Sequence, residues 1–294
     1  MKHIRIISPS GAIDPQYIDA ASSRLRAWGY DISEGVHARD KWGRFAGTDE
    51  DRLSDLVSAL SDPTVDAILC SRGGYGLQRI IDRIPPVKKP VIGFSDITAL
   101  HCLASNGLHS IMCKHIATLD EDSEPVIALR KALNGEILEY TITAHPLNRP
   151  GHAEGSLIGG NLSVLYGLQG TPYGLTSKDQ RLKTNILLIE DIAERHYHID
   201  RMMRNLRLSG VLSNISALLV GQFSDCENDP SILSANDQRP TTIYETIKEA
   251  VAEYDYPVIF NVPVGHVERN MPLWINGHTT IDCRNNSVTL TNRR

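Results

Sequence analysis

The sequence predicts an α/β protein of two domains: an N-terminal, mostly parallel sheet with helices on both faces, and a smaller C-terminal α/β domain with added β segments. Three observations lead there. Short apolar or β-branched runs alternate with helix-like stretches, at residues 3–8, 65–70 and 91–94 and again at 185–189, 217–220 and 258–261. Continuous apolar strands of this kind belong to sheets covered on both faces. The alternation breaks once, in the acidic and Pro-rich stretch 119–154, which holds a short helix-like piece after Pro125 and reads as a linker between domains 1–118 and 155–294. At 294 residues the chain is long enough for two cores.

In chain order, strand 3–8 ends at the turn-like Ser8-Pro9-Ser10-Gly11, and residues 15–28 show helical periodicity stopped by Gly29. Thr48 reads as the N-cap of a helix that begins with Asp49, Glu50 and Asp51, acids suited to a helix N-terminus. Strand 65–70, helix 77–84, strand 91–94 and a helix over 97–105 follow. Beyond the linker, helices are expected at 162–168, 199–208 and 244–254, and paired β segments over 274–290 around an Asn276-Gly277 turn.

Composition excludes several classes. Hydrophobic residues at 41%, charged residues at 22% and a net charge of -5 describe an ordinary globular protein with no electrostatic reason to bind nucleic acid or an anionic membrane. A charge interrupts the first apolar run, unlike a secretory signal, and no segment reaches the roughly 20 apolar residues of a membrane span. The five scattered cysteines lack a Cys-x-x-Cys pair and read as free thiols in a reducing compartment. A cytoplasmic protein is expected.

Four segments carry candidate chemistry. Pro90 to Thr98 runs an apolar strand through Gly93 into Ser95 and then a helix, so Ser95 can stand on a sharp turn with the amide of Asp96 facing an oxyanion. The alternative is that Ser95 merely caps the helix. Ser71-Arg72-Gly73-Gly74-Tyr75-Gly76 follows a neighbouring strand; without a Walker lysine or Rossmann spacing it reads either as a helix-entry turn or as the source of a second oxyanion donor beside Ser95. Glu190 ends an apolar strand, where carboxylates are rare unless paired or functional. His266 follows a strand and a Pro263–Gly265 turn. Together these residues supply a nucleophile, a base and a carboxylate to orient it. His196 and His198 lie only two apart and His109 and His115 six apart, neither being ligand spacing, so no metal and no cofactor are expected.

Arg72-Gly73-Gly74-Tyr75-Gly76, Gly93-Phe94-Ser95-Asp96-Ile97-Thr98, Gly159-Gly160-Asn161-Leu162, Leu188-Ile189-Glu190-Asp191 with Ile199-Asp200-Arg201, and Pro263-Val264-Gly265-His266 occur in one order. They resemble the successive signatures of the LD-carboxypeptidase family, the S66 serine peptidases, and residues 44–53 resemble its muramoyl-tetrapeptide carboxypeptidase branch. The resemblance runs over nearly the whole chain. It implies Ser95 as nucleophile, His266 as general base, Glu190 as the triad carboxylate, and the amides of Asp96 and of the Gly73-Gly74 loop as oxyanion hole. It implies hydrolysis of the bond before a C-terminal D-alanine in a murein tetrapeptide; cleavage of a peptide–nucleotide antibiotic conjugate and a non-catalytic peptide-binding relative are the alternatives. The segment 111–116 departs from the family pattern, which bears on substrate preference. Arg72 and Lys114 are the cations nearest in sequence for the substrate's free carboxylate. A small peptide is the expected partner and a homodimer the expected assembly.

Overall fold

The computed structural model describes residues 1–175, 184–226, 242–284 and 286–294. The chain forms two units, residues 1–138 with 268–277 and 293–294, and residues 139–267 with 278–292.

In the first unit, β1 (His3–Ile7), β2 (Asp31–Glu34), β3 (Ala67–Cys70), β4 (Val91–Gly93) and β5 (Gly107–His109) are parallel, in the order β5-β4-β3-β1-β2. Ile4, Ile6, Ile68, Leu69, Val91 and Ile92 are buried, as strands covered on both faces require. Helix α1 (Pro15–Ala27) starts with Pro15 just inside the Asp14 cap. Helix α2 (Asp49–Ser61) starts from a capping box in which the Thr48 side chain accepts from the Asp51 amide and the Asp51 carboxylate accepts from the Thr48 amide.

The structure differs from the expectations at four places. Residues 77–84 form two single 3₁₀ turns, Leu77–Arg79 and Ile81–Arg83, and Pro85-Pro86 prevent their extension. Over 97–105 a 3₁₀ turn (Ser95–Ile97) precedes a short α3 (Thr98–Leu103), and Gly107 opens β5. Helix α4 (Cys113–Thr118) follows. In the stretch expected as a linker, α5 (Glu124–Leu133) buries Val126, Leu129, Ala132 and Leu133, while β6 (Leu138–Thr143) and the start of β7 (Gly151–Asn161) join the second sheet. The helix-like piece expected after Pro125 is therefore α5, with Glu124 and Pro125 in its first turn. Finally, Asn276-Gly277 makes no hairpin: β11 (Leu273–Ile275) pairs antiparallel with β5, whereas β12 (His278–Arg284) pairs antiparallel with β7 in the other sheet.

The second unit carries α6 (Leu162–Leu168), β8 (Asn185–Ile192), α7 (His196–Leu208), β9 (Ala217–Ser224), α8 (Ile243–Ala250), β10 (Val258–Ile259) and β13 (Ser287–Arg293). Its sheet order is β10-β9-β8-β7-β12-β13-β6, with β7 to β10 parallel. Residues Ile186 to Ile189 and Ala217 to Val220 are wholly buried, so the polar residues that end β8 stand out.

Candidate active site

Strand β4 delivers Ser95 onto the sharp turn that its sequence suggested. Ser95 has φ +66, in the left-handed region, at the first position of a 3₁₀ turn. A non-glycine residue there costs about 1–3 kcal/mol, and such conformations concentrate at functional sites. Simple capping does not explain it: Ser95 is itself the first residue of the 3₁₀ turn rather than the residue that caps it. Across from it, Gly73 lies so close that an added Cβ would stand 2.8 Å from Ser95 Cβ and 3.0 Å from Ser95 Oγ. Only glycine lets the loop 72–76 approach the hydroxyl this closely.

That loop is braced from beneath by buried polar groups. The buried Asp96 carboxylate accepts from Ser10 Oγ at 2.7 Å and from the Leu77 amide at 3.0 Å. Burial raises its carboxyl above the usual range, against the opposing pull of those donors and of Arg52. Arg52, fully buried, donates from Nη1 to Pro9 O at 2.7 Å and Gly76 O at 3.1 Å and pairs with Asp49. The Gly11 amide donates to Gly73 O at 3.1 Å. The bracing roles of Ser10, Arg52 and the Asp96 side chain escaped the sequence reading, although Arg52 and Asp96 lie within stretches that it singled out.

In the second unit, Glu190 is wholly buried and its Oε2 lies 2.8 Å from Nδ1 of His266, whose side chain is 15% exposed. The loop holding His266 is fixed by Ser224 Oγ, which donates to the His266 carbonyl at 3.0 Å. Gly265, at φ +134, leaves room for the carboxylate, since a Cβ there would stand 3.1 Å from Glu190 Oε2. Alternation along β8 turns Asp191 to the opposite face. There it accepts from Asn161 Nδ2 at 2.9 Å and from the amides of Ser163 and Ile192 at 2.8 and 2.9 Å, and so caps α6.

Asp191 has a raised pKa of about 7, first through burial and then through the adjacent Glu190. An acid whose folded pKa stands above its ordinary 3.8 holds a proton in the native state after the unfolded chain has lost it. Its contribution therefore favours folding at the acid end of that window and is lost as pH rises through about 7. Melting temperatures of the native protein and Asp191→Asn across this window should show the downward slope in the former and its loss in the latter. Parallel curves would mean that Asp191 titrates normally.

The remaining candidates separate. Arg72 lines a cavity with Gly74, whereas Lys114 sits exposed on α4 and does not line it. His196 bonds Thr246 Oγ1 at 2.7 Å and His198 bonds Glu194 at 2.9 Å, both structural pairings. Among the described residues one group has metal-ligand chemistry, His37, Asp40 and Asp51; His37 Nδ1 already lies 2.8 Å from Asp40.

Comparisons with known proteins show the family to which the chain is similar. Residues 4–113 match the family model for the LD-carboxypeptidase N-terminal domain and residues 154–281 that for the C-terminal domain. A Bacillus subtilis protein named "Probable murein peptide carboxypeptidase" is 31% identical over 90% of this chain and 83% of its own. The murein tetrapeptide carboxypeptidase of Pseudomonas aeruginosa is 29% identical over 95% of this chain and 92% of its own. The muramoyltetrapeptide carboxypeptidase of Oxalobacter formigenes superposes with a TM-score of 0.85 at 25% identity, covering 100% of this chain and 99% of the other. The microcin C7 self-immunity protein MccF, at 19% identity and a TM-score of 0.80 over 99% and 96% of the two chains, shares the fold.

Proposed function

Because the chain belongs to the LD-carboxypeptidase family, we propose that it is a serine carboxypeptidase that hydrolyses the bond before the C-terminal D-alanine of a murein tetrapeptide, a step of peptidoglycan recycling in the cytoplasm. The buried Glu190–His266 pair carries the reading. A fully buried carboxylate against Nδ1 favours the tautomer that protonates Nδ1 and leaves Nε2 as acceptor, the state a general base needs.

In this mechanism His266 takes the proton of Ser95 as Oγ attacks the scissile carbonyl, then gives it to the departing amine of D-alanine. Water repeats the sequence on the acyl-enzyme, with His266 again as base. Glu190 stabilises the imidazolium that forms at each stage. The amides of Asp96 and of Gly73 or Gly74 face the oxyanion, and donors of this kind contribute about 3–4 kcal/mol each. The left-handed turn at Ser95 and the close approach of Gly73 support this assignment. Arg72, rather than Lys114, is the cation we assign to the substrate's terminal carboxylate, since it shares the loop of the oxyanion donors. A homodimer is the proposed assembly.

Incubation with a murein tetrapeptide and mass spectrometry of the products tests the reading. Release of D-alanine and the matching tripeptide is expected, from the diaminopimelate or the lysine peptide. An intact tetrapeptide alongside a cleaved peptide–nucleotide conjugate would overturn it in favour of a conjugate-cleaving enzyme.

A further inference from the structure

A cavity of about 420 Å³ in the first unit is walled by residues from three segments, 11–12, 41–44 and 72–75. Main-chain hydrogen bonds tie these segments together: Gly11 N to Gly73 O at 3.1 Å, Ala12 N to Arg44 O at 3.0 Å, and the reciprocal pair between Trp42 and Phe45 at 2.8 and 3.1 Å. Phe45 is further held between the rings of Trp42 and Tyr75, with centroids 6.1 and 5.8 Å away. The wall is therefore a built surface and not a fringe of loose side chains.

Its charge is one-sided. Lys41, Arg44 and Arg72 all line the cavity, and no lining residue is acidic. Among the described residues none of the three has a carboxylate within ion-pair distance, whereas Arg5, Arg39, Arg79, Arg83 and Arg130 of the same unit are all paired. Arg72 is oriented by donating from Nη1 to Ala12 O at 3.1 Å. Like charges gathered in a concave wall repel one another and raise the local concentration of anions. The wall also shares the loop 72–75 with Gly73, which abuts Ser95.

One terminal carboxylate satisfies one guanidinium, bidentately at best, and leaves two cations unanswered. We propose that Lys41 and Arg44, with Arg72, form a specificity subsite for a second carboxylate, so that the preferred substrate is an acidic peptide. This rests on the peptidase reading above.

Calorimetric binding to the full-length Ser95→Ala protein tests the subsite without requiring turnover. The probes are a tetrapeptide whose D-glutamyl carboxylate is free and the same peptide with that group amidated. Charge-assisted hydrogen bonds of this kind predict roughly tenfold or greater preference for the acid. Adding Lys41→Met and Arg44→Gln should bring the two affinities within about twofold of each other, and Arg44→Glu should favour the amide. Both side chains are exposed, and the main-chain bond of Arg44 survives substitution; circular dichroism melts verify folding. Equal binding of both peptides to Ser95→Ala, or a preference undiminished by the substitutions, would overturn the subsite. A preference for the acid without D-alanine release by the native enzyme would sustain the subsite and overturn the peptidase reading instead.

Discussion

Replacing Ser95 with alanine is expected to lower turnover of the tetrapeptide by about a million-fold, the loss seen when the nucleophile of a comparable triad is removed. The fold should survive. Ser95 sits at φ +66 because the chain around it demands that turn, and alanine tolerates the same angle no better and little worse than serine. Melting temperature and circular dichroism should stay near those of the native protein while the rate collapses. Residual turnover within tenfold of native would remove Ser95 from the chemistry and leave its strained backbone unexplained.

Glu190→Gln carries the second largest expected effect, about 10⁴-fold in kcat, by analogy with the corresponding change in the best-studied triad. Glutamine fits the same buried space and can keep the contact to Nδ1, but as a neutral group it no longer stabilises the imidazolium. If its amide donates to Nδ1, the proton moves to Nε2 and the ring can no longer act as base. Glu190 Oε1 has no hydrogen-bond partner among the described residues, so the amide is free to take either orientation. Asp191→Asn is the control. It removes a neighbouring acid of the same strand whose partners are Asn161, Ser163 and Ile192, and should alter kcat by far less. Equal losses from the two changes would assign the effect to general disturbance of β8.

The parts of the molecule legible in the sequence are those specified locally. The Thr48 N-cap, the α6 boundaries and the strand-to-turn junction at Ser95 each depend on residues within a few positions of one another. The elements that escaped depend on distant partners. β5 and β11 are three residues each, and β5, whose Gly107-Leu108-His109 offers no apolar run, exists because it meets residues 91–93 on one side and 273–275 on the other. The same holds at the site. Ser95, Glu190 and His266 stand in recognisable surroundings, but the Asp96 carboxylate braces the loop through Ser10, 86 positions away. Lys41 and Arg44 acquire meaning once residues 11–12 and 72–75 are seen to close a cavity with them.

The central claim is that Ser95 is made nucleophilic by the Glu190–His266 pair. Labelling with a fluorophosphonate, followed by peptide mapping, tests it most directly, because the reagent reports an activated serine without need of the natural substrate. A single adduct on Ser95 is predicted in the native protein, strongly slowed in Glu190→Gln and absent in His266→Ala. Labelling of a different serine, or of Ser95 at the native rate without His266, would contradict the account.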